Sequence, residues 1–246
     1  MERYGLIGYP LTHSFSQKYF SEKFLKEGLA NHLYENFPIN SIALLKDILA
    51  NNKDLRGLNV TIPYKKEVLT YLDESSTAVK LIGACNCIKI VEGKLYGFNT
   101  DVIGFEKSLR PFLRPEHTAA LILGTGGAAM AVAYTMQELG IHYQYVSRQK
   151  VKNGITYADI DQRIIEQHTL IINTTPLGMY PLVNDCPPLP YEWLTSKHHC
   201  FDLIYNPADT LFLQKSAAQK ATIQNGDEML IIQAEESWRI WNEVNK

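Results

Sequence analysis

The sequence predicts an α/β protein of two domains. Short β-rich runs alternate with helical patterns along the 246 residues, which is typical of helices packed against parallel strands. The pattern changes after Asp101, where a helical stretch leads into an apolar run and then a glycine-rich turn. We expect the last helix to return to the first domain. The predicted domains are therefore residues 1–101 plus 230–246, and residues 102–229.

Composition places the chain among ordinary globular proteins. Apolar residues make up 46% and charged residues 20%, close to average usage. The net charge of -2 provides no electrostatic footprint for nucleic acid or an anionic membrane. No apolar run approaches the roughly 20 residues that span a bilayer. We expect a small-molecule substrate and no nucleic-acid or membrane partner, and the chain could be a monomer or a homodimer.

The cysteines and histidines do not indicate a metal site. Cys85 and Cys87 form C-x-C, and the four cysteines give no four-ligand zinc pattern. The triplet 198–200, His-His-Cys, lacks further ligands at suitable spacing. A chain of this length needs no disulfides, and residues 1–5 begin a strand pattern rather than a signal peptide. The expected location is therefore the cytoplasm.

The first domain contains strand and helix patterns in alternation. Strands are predicted at residues 4–8, 34–39, 55–62, 89–91 and 94–98. The last two flank Glu92-Gly93, a hairpin signal. The first helix is expected to bury Tyr19, Phe20, Phe24 and Leu25. The second helix, capped by Ser41, carries Ile42, Leu45, Ile48 and Leu49.

The second domain contains a pattern that is typical of dinucleotide-binding domains. Strands are predicted at 119–123, 143–146, 169–173 and 200–204. Helices are predicted at 102–113 and 131–139, and the final helix at 228–245 is the one expected to return to the first domain. The last helix offers Ile231, Ile232, Trp238 and Trp241 for packing, and the two tryptophans at i, i+3 are typical of a core.

The turn after residues 119–123 reads G-x-G-x-x-A between a strand and a helix. Gly124 permits a tight turn, Gly126 lets the backbone approach a pyrophosphate, and Ala129 lets the helix pack closely. The helix N-terminus then presents free N–H groups to phosphates. We predict a Rossmann-type dinucleotide site; the alternative is a glycine-rich turn without a ligand. The residues expected to contact the cofactor are Gly124, Thr125, Gly126, Gly127 and Ala128.

The end of the next strand indicates which dinucleotide binds. NAD sites place an acid about 20 residues on, against the ribose 2′-hydroxyl. Here the strand ends in Ser147, Arg148, Gln149 and Lys150, with Lys152 close behind and no acid. A guanidinium binds a 2′-phosphate in a bidentate way. We therefore predict NADP, held by Ser147, Arg148 and Lys150, although the lysines could equally belong to a solvated loop.

Four polar segments of the first domain follow probable strands. They are residues 8–16, 59–65, 83–86 and 97–101. In open α/β sheets ligands bind at the carboxyl ends of strands. Small amides and hydroxyls suit a polyhydroxylated, anionic ligand.

These segments resemble the signature of shikimate dehydrogenases. The shared runs are His13-Ser14-Phe15-Ser16, Asn59 to Lys65, Gly83-Ala84-x-Asn86, Asn99-Thr100-Asp101-x-x-Gly104, Asn173 to Met179, Asp202 to Pro207, Gly226 and Gln233-Ala234. They occur in consistent order along nearly the whole chain. The resemblance implies NADPH-dependent, reversible reduction of 3-dehydroshikimate to shikimate, a step towards chorismate and the aromatic amino acids.

The resemblance also implies residue roles. Lys65 and Asp101 would be the catalytic pair in contact with substrate. Ser14 and Ser16 would hold the carboxylate, and Asn59, Thr61, Asn86 and Gln233 would bond ring hydroxyls or the carbonyl region. Tyr205 would lie near the substrate. Met179 and Gly226 would lie near the nicotinamide, and Asn173 and Thr174 would line the cofactor cleft.

Some positions depart from the family pattern, and other interpretations stay open. Gln17 stands where the family has proline, and Cys87 stands where it has threonine. The segment 149–160 is short and lacks a convincing helix. Asp101 could be only the cap of the helix that follows. The chain could instead be a quinate/shikimate-type dehydrogenase that uses NAD, an enzyme for another small hydroxy acid, or a non-catalytic binding paralogue. A Ser-His-Asp hydrolase is disfavoured, because no G-x-S-x-G surrounds either serine.

Overall fold

The computed structural model describes residues 1–11 and 15–243. The chain divides into two compact units: unit 1 is Met1–Thr100 with Ala234–Lys246, and unit 2 is Asp101–Gln233. Each unit contains a six-stranded sheet with helices between its strands. The predicted α/β class is confirmed.

The sheet of unit 1 is mixed. Its strands are β1 (Glu2–Gly8), β2 (His32–Pro38), β3 (Leu55–Val60), β4 (Glu74–Ser75), β5 (Cys87–Val91) and β6 (Lys94–Phe98). They lie in the order β2-β1-β3-β5-β6-β4. Pairs β1·β2, β1·β3 and β4·β6 are parallel, whereas β5 runs antiparallel to β3 and β6. The antiparallel direction follows from the predicted hairpin, whose turn residues Glu92 and Gly93 both have positive φ.

The helices of unit 1 are α1 (Phe15–Lys26), α2 (Leu45–Asn51) and α3 (Thr77–Ile82). Ser41 caps a 3₁₀ turn, Ile42–Leu44, that leads into α2. α1 buries Phe20 and Phe24, but the expectation for Leu25 is wrong, because its side chain is 85% exposed. One residue beyond Phe24 is a rotation of about 100° on a helix, which takes Leu25 off the buried face.

An aromatic cluster forms one core of unit 1. Tyr4, Phe20, Phe24 and Trp241 are buried in it, and Trp238 packs against it. The Trp241 indole donates to the Ile88 carbonyl at 3.0 Å. A Cβ on Gly57 would lie 2.3 Å from the same indole nitrogen, so β3 needs a glycine there. The predicted core role of both tryptophans is confirmed.

The sheet of unit 2 is wholly parallel in its described pairs. Its strands are β7 (Ala119–Leu123), β8 (His142–Ser147), β9 (Gly154–Thr156), β10 (Leu170–Asn173), β11 (His199–Asp202) and β12 (Thr222–Gln224). They lie in the order β12-β11-β10-β7-β8-β9. Counted within the unit, this is the order 3-2-1-4-5-6 of doubly wound dinucleotide-binding sheets. The chain reverses direction across the sheet between β7 and β10.

Helices cover the strands of unit 2. They are α4 (Thr100–Leu109), α5 (Gly127–Glu138), α6 (Gln162–Gln167), α7 (Leu211–Ala218) and α8 (Asp227–Asn242), of which α4 and α8 extend from unit 2 into unit 1. Apolar clusters lie on both faces of the sheet. Ile231 on α8 is 45% exposed, so its predicted packing is wrong. Within the described ranges, no helix is long and apolar enough to cross a membrane.

Candidate active site

The loop after β3 holds Lys65 at a fixed backbone position. Tyr64 is buried, and its hydroxyl donates to the Ile39 carbonyl at 2.6 Å. The Lys65 carbonyl accepts from the Cys85 amide at 2.8 Å. The Lys65 residue itself is half-buried. The sequence predicted the role of Lys65, but it gave no sign that Tyr64 anchors the loop.

Four buried side chains of unit 1 form a polar network: Asn59, Asn86, Thr100 and Ser237. Asn59 Nδ2 donates to Ser237 Oγ at 2.9 Å and to the Asn86 carbonyl at 3.3 Å. Asn86 Oδ1 accepts from the Thr100 amide at 2.7 Å, and Asn86 Nδ2 donates to Thr100 Oγ1 at 3.1 Å. Both amide hydrogens of Asn59 are therefore used inside the protein, so a ligand could bond only to the Asn59 oxygen, which already accepts one hydrogen bond from Tyr34.

Of the two serines predicted to bind the carboxylate, Ser16 is the second residue of α1. Ser14 lies outside the described residues. Ser16 hydrogen-bonds to Tyr34, whose hydroxyl donates to Asn59 Oδ1 at 2.8 Å. Burial raises the pKa of Tyr34, so its hydroxyl stays protonated as a donor. Ser16 is thus linked to the polar network. Thr61 follows β3, and its amide donates to the Ile7 carbonyl at 2.9 Å.

Asp101 is the second residue of α4 and is half-buried. The interpretation of Asp101 as the cap of this helix is wrong, because the helix already contains it. A carboxylate in a first helical turn is stabilised by the helix dipole. Lys65 belongs to unit 1 and Asp101 to unit 2, and their catalytic pairing stays a prediction.

Two further predicted substrate contacts lie in unit 2. Gln233 is buried on α8, where its Nε2 donates to the Leu230 carbonyl at 2.9 Å. Tyr205 follows β11 and is 39% exposed. Their proposed contacts with substrate stay predictions.

Unit 2 contains a cleft of about 560 Å³ at the reversal point of its sheet. It opens at the carboxyl ends of β7, β8 and β10, where α/β sheets bind ligands. The residues that line this unit 2 cleft are Gly124, Thr125, Gly126, Val146, Ser147, Arg148, Tyr157, Thr174, Thr175, Pro176, Leu177, Leu182 and Pro188. The sequence predicted six of these as cofactor contacts: Gly124, Thr125, Gly126, Ser147, Arg148 and Thr174.

The glycines of the turn have different physical reasons. Gly124 has a φ of +108°, and a Cβ there would meet Thr174 Oγ1 at 2.7 Å. Gly126 caps α5, and a Cβ on Gly126 or Gly127 would meet no atom within 4 Å. Packing within the fold therefore does not require glycine at position 126 or 127. The open space and the N–H groups at the start of α5 leave room and donors for the predicted pyrophosphate.

The end of the cleft at β8 is positively charged. Arg148 is exposed and lines the cleft beside Ser147, whose hydroxyl donates to the Gln149 carbonyl. Among the described lining residues there is no aspartate or glutamate. Lys150 is exposed and outside the lining, and its charge acts on Asp159. The cleft fits the phosphates of NADP.

Several predicted cofactor residues shape the loops around the cleft. Asn173 is fully buried, and its Oδ1 accepts from the amide and hydroxyl of Thr175 at 3.0 and 2.7 Å. Its Nδ2 donates to Asp202 Oδ1 at 3.0 Å. Burial raises the pKa of Asp202 to about 6, although hydrogen bonds from Thr210, Ile204 and Asn173 oppose the rise. The Asn173–Asp202 pair therefore holds the loop that contains Thr174.

The remaining predicted cofactor residues lie outside the lining of the cleft. They are Gly127, Ala128, Asn173, Met179 and Gly226, besides Lys150. Met179 is 46% exposed. A Cβ on Gly226 would lie 2.2 Å from the Leu203 carbonyl oxygen, so close backbone approach requires this glycine. Within the ranges that the structure describes, no group of three potential metal ligands occurs.

Comparison with known proteins identifies the family. Residues 6–88 match the model of the shikimate dehydrogenase substrate binding domain. A shikimate dehydrogenase (NADP(+)) of Clostridium beijerinckii is 40% identical over 99% of this chain and 93% of its own length. The chain belongs to the shikimate dehydrogenase family.

Two solved structures are similar to this chain over nearly its full length. A shikimate 5-dehydrogenase of Thermus thermophilus, in complex with NADP(H) and shikimate, has a TM-score of 0.87 at 30% identity, covering 99% of this chain and 94% of that one. A ligand-free 5-ketofructose reductase of Gluconobacter has a TM-score of 0.85 at 29% identity, covering 98% and 92%.

Sequence reasoning missed several residues of the cleft. Leu182 and Pro188 come from the long segment between β10 and β11, and Tyr157 follows β9. β9 has three residues, too few for a recognisable alternation. The signal for Tyr157 was therefore only its proximity in sequence to Arg148.

Proposed function

We propose that this chain catalyses the reversible, NADP-dependent interconversion of 3-dehydroshikimate and shikimate, with Lys65 and Asp101 as the catalytic pair. The similarity to NADP(+)-dependent shikimate dehydrogenases over nearly the full length supports this function most strongly. Unit 1 would bind the substrate, and unit 2 would bind NADP. The acid-free, Arg148-bearing cleft supports the choice of NADP.

The residues of the chain would supply binding, orientation and a proton. NADPH, when bound, supplies the hydride. Lys65 would stabilise the negative charge that develops on the carbonyl oxygen and donate a proton to it, and would accept that proton in the reverse direction. Asp101 would orient the Lys65 ammonium. The anchors at Tyr64 and Cys85 fix the backbone of Lys65, which favours a constant geometry between turnovers.

The polar groups of unit 1 would recognise the ring. Ser14 and Ser16 would hold the substrate carboxylate, and Thr61, Asn86 and Asn59 would face its hydroxyls. Gln233 and Tyr205 would complete the contacts from unit 2. Each hydroxyl matched in this way would discriminate strongly against analogues that lack it, because an unpaired buried partner is costly.

A nicotinamide absorbance assay tests the function directly. The purified chain is mixed with shikimate and NADP⁺. Parallel assays contain NAD⁺ in place of NADP⁺, or quinate in place of shikimate. We expect rapid NADPH formation with shikimate and NADP⁺, and a much slower reaction in the other assays. Preference for NAD⁺ or quinate would reject the proposed specificity while retaining the reaction class. A folded chain that binds NADPH but is inactive in every assay would reject the function.

The reductase of Gluconobacter provides a second candidate substrate for the assay. Because this reductase is similar to the chain, an assay with 5-ketofructose and NADPH is run in parallel. Turnover of 5-ketofructose without turnover of 3-dehydroshikimate would assign the chain to that activity. We also infer a cytoplasmic enzyme, monomeric or homodimeric, since its size and composition require neither disulfides nor a membrane.

A further inference from the structure

One hydroxyl in the unit 2 cleft has no partner among the described residues. Tyr157 lines the cleft, and its hydroxyl oxygen is buried without a hydrogen bond in the part of the chain that the structure describes. Its ring packs against the apolar cluster on one face of the sheet. A buried hydroxyl without a partner costs free energy. Phenylalanine would provide the same packing without that cost, so the Tyr157 hydroxyl calls for a reason other than packing.

The sheet register places Tyr157 beside Arg148. The last pair between β8 and β9 is Ser147 with Thr156. The next residues along these parallel strands are Arg148 and Tyr157. Both residues line the cleft, and the charge of Arg148 acts on the Tyr157 phenol. Both therefore lie at the end of the cleft where the base and ribose of a dinucleotide bind.

Local hydrogen bonds hold Tyr157 in this orientation. It is the first residue of a 3₁₀ turn, Tyr157–Asp159, whose cap Thr156 shares a reciprocal capping box with Asp159. The Asp159 carboxylate accepts from the Thr156 amide and hydroxyl, both at 2.8 Å. The acid nearest in sequence to Tyr157 is thus engaged by Thr156, and Asp159 is absent from the lining of the cleft.

We propose that the Tyr157 hydroxyl donates a hydrogen bond to the 2′-phosphate of NADP and is a specificity-determining residue for NADP over NAD. Arg148 supplies charge, and Tyr157 supplies a neutral donor of fixed direction. The proposal rests on the proposed function, and it identifies a phosphate contact outside the Ser147–Lys150 segment. Because the hydroxyl oxygen is buried, a side chain that shields it must shift as the phosphate enters, which is a fast rotamer change.

The protonation state of Tyr157 suits this role. Burial raises its pKa to about 12, and Arg148 opposes the rise. The phenol therefore remains protonated throughout the physiological range and acts as a donor. A phosphate oxygen is an acceptor, and a hydrogen bond to a charged acceptor is stronger than one to a neutral acceptor.

The test compares Tyr157→Phe, Arg148→Gln and the control Tyr143→Phe. Tyr143 is a half-buried tyrosine in the same sheet that packs on the opposite apolar cluster. Steady-state kinetics with NADP⁺ and NAD⁺ are combined with binding of adenosine 2′,5′-bisphosphate and of 5′-AMP. We expect Tyr157→Phe to lower the ratio of kcat/KM for NADP⁺ to that for NAD⁺ by about tenfold or more. Binding of the bisphosphate should weaken equally, and 5′-AMP should bind unchanged.

Stability provides an independent readout. Because the hydroxyl has no described partner, Tyr157→Phe should leave the unfolding midpoint in denaturant unchanged or raised. A lowered midpoint would show that the hydroxyl already has a protein partner and would overturn the inference. An unchanged NADP⁺/NAD⁺ ratio in Tyr157→Phe would also overturn it. If the parent chain itself shows no preference for NADP⁺, the proposed cofactor fails instead, and Arg148→Gln would then be equally silent.

Discussion

The polar network of unit 1 and the cleft of unit 2 use their polar groups in opposite ways. In the network, Asn59, Asn86, Thr100 and Ser237 bond one another in a buried interior. In the cleft, Gly126 leaves open space and Tyr157 leaves a hydroxyl unmatched among the described residues. A motif residue can thus serve architecture or ligand, and only its hydrogen-bond partners distinguish the two.

The largest expected effect separates Lys65 from its exposed neighbour Lys66. Lys65→Ala should lower kcat by about 10² or more, the scale of a general acid, with a modest change in the KM for shikimate. Lys66→Ala provides the matched control and should retain full turnover. Stopped-flow and steady-state assays measure both. Near-normal turnover in Lys65→Ala would remove this lysine from the mechanism.

The second test asks whether Asn86 belongs to the fold or to the ligand. Asn86→Ala leaves the buried Thr100 amide without its acceptor, so the free energy of unfolding should fall by about 1–3 kcal/mol. Denaturant titration measures this loss. A double-mutant cycle with Thr100→Val measures the coupling between the Asn86 side chain and the Thr100 hydroxyl. Unchanged stability together with a raised KM for shikimate would show that Asn86 acts mainly on the substrate.

The third test compares two glycines of the same turn. Gly126→Ala should lose less than about 1 kcal/mol of stability, yet weaken NADP binding on the order of tenfold, about 1.4 kcal/mol. Gly124→Ala should instead destabilise the chain by about 1–3 kcal/mol, because its φ is +108° and Thr174 blocks the Cβ. Calorimetric titration and thermal unfolding measure the two effects. Unweakened binding in Gly126→Ala would exclude a pyrophosphate from that position.

The smallest effect concerns a buried histidine in the core of unit 2. His199 bonds Thr222 at 3.0 Å and Gln224 at 3.2 Å, and burial lowers its pKa to about 4, although the Gln224 hydrogen bond opposes the shift. The unfolded chain binds a proton below about pH 6.5 and the folded His199 does not. Stability is therefore complete above pH 6.5 and decreases as the pH falls towards 4.

The expected pH dependence can be measured with one variant and one control. From pH 7 to about pH 5.5, His199 should account for about 1 kcal/mol of lost stability. His199→Gln should remove this part of the slope, whereas His142→Gln, at an exposed strand residue, should not. Identical slopes in the parent chain and His199→Gln would show that the imidazole accepts its proton in the folded state.

The amino-acid sequence alone determined the local elements and the glycine-rich turn. The strand at 119–123 coincides with β7, the hairpin at Glu92-Gly93 is present, and the turn with Gly124 and Gly126 lines a cleft beside Arg148. Each depends on signals within a few residues, such as hydrophobic periodicity, positive φ and helix capping. Such short-range constraints are legible in sequence because they act through the backbone itself.

The tertiary structure decided the features that depend on distant residues. It exposes Leu25, buries Tyr64 as the anchor of Lys65, and satisfies Asn59 through Ser237, which is 178 residues away. It also forms β9 by pairing with β8 and so brings Tyr157 next to Arg148. A three-residue strand has no periodicity of its own, and a hydrogen bond between distant residues leaves no local pattern. These features exist only once the chain has folded.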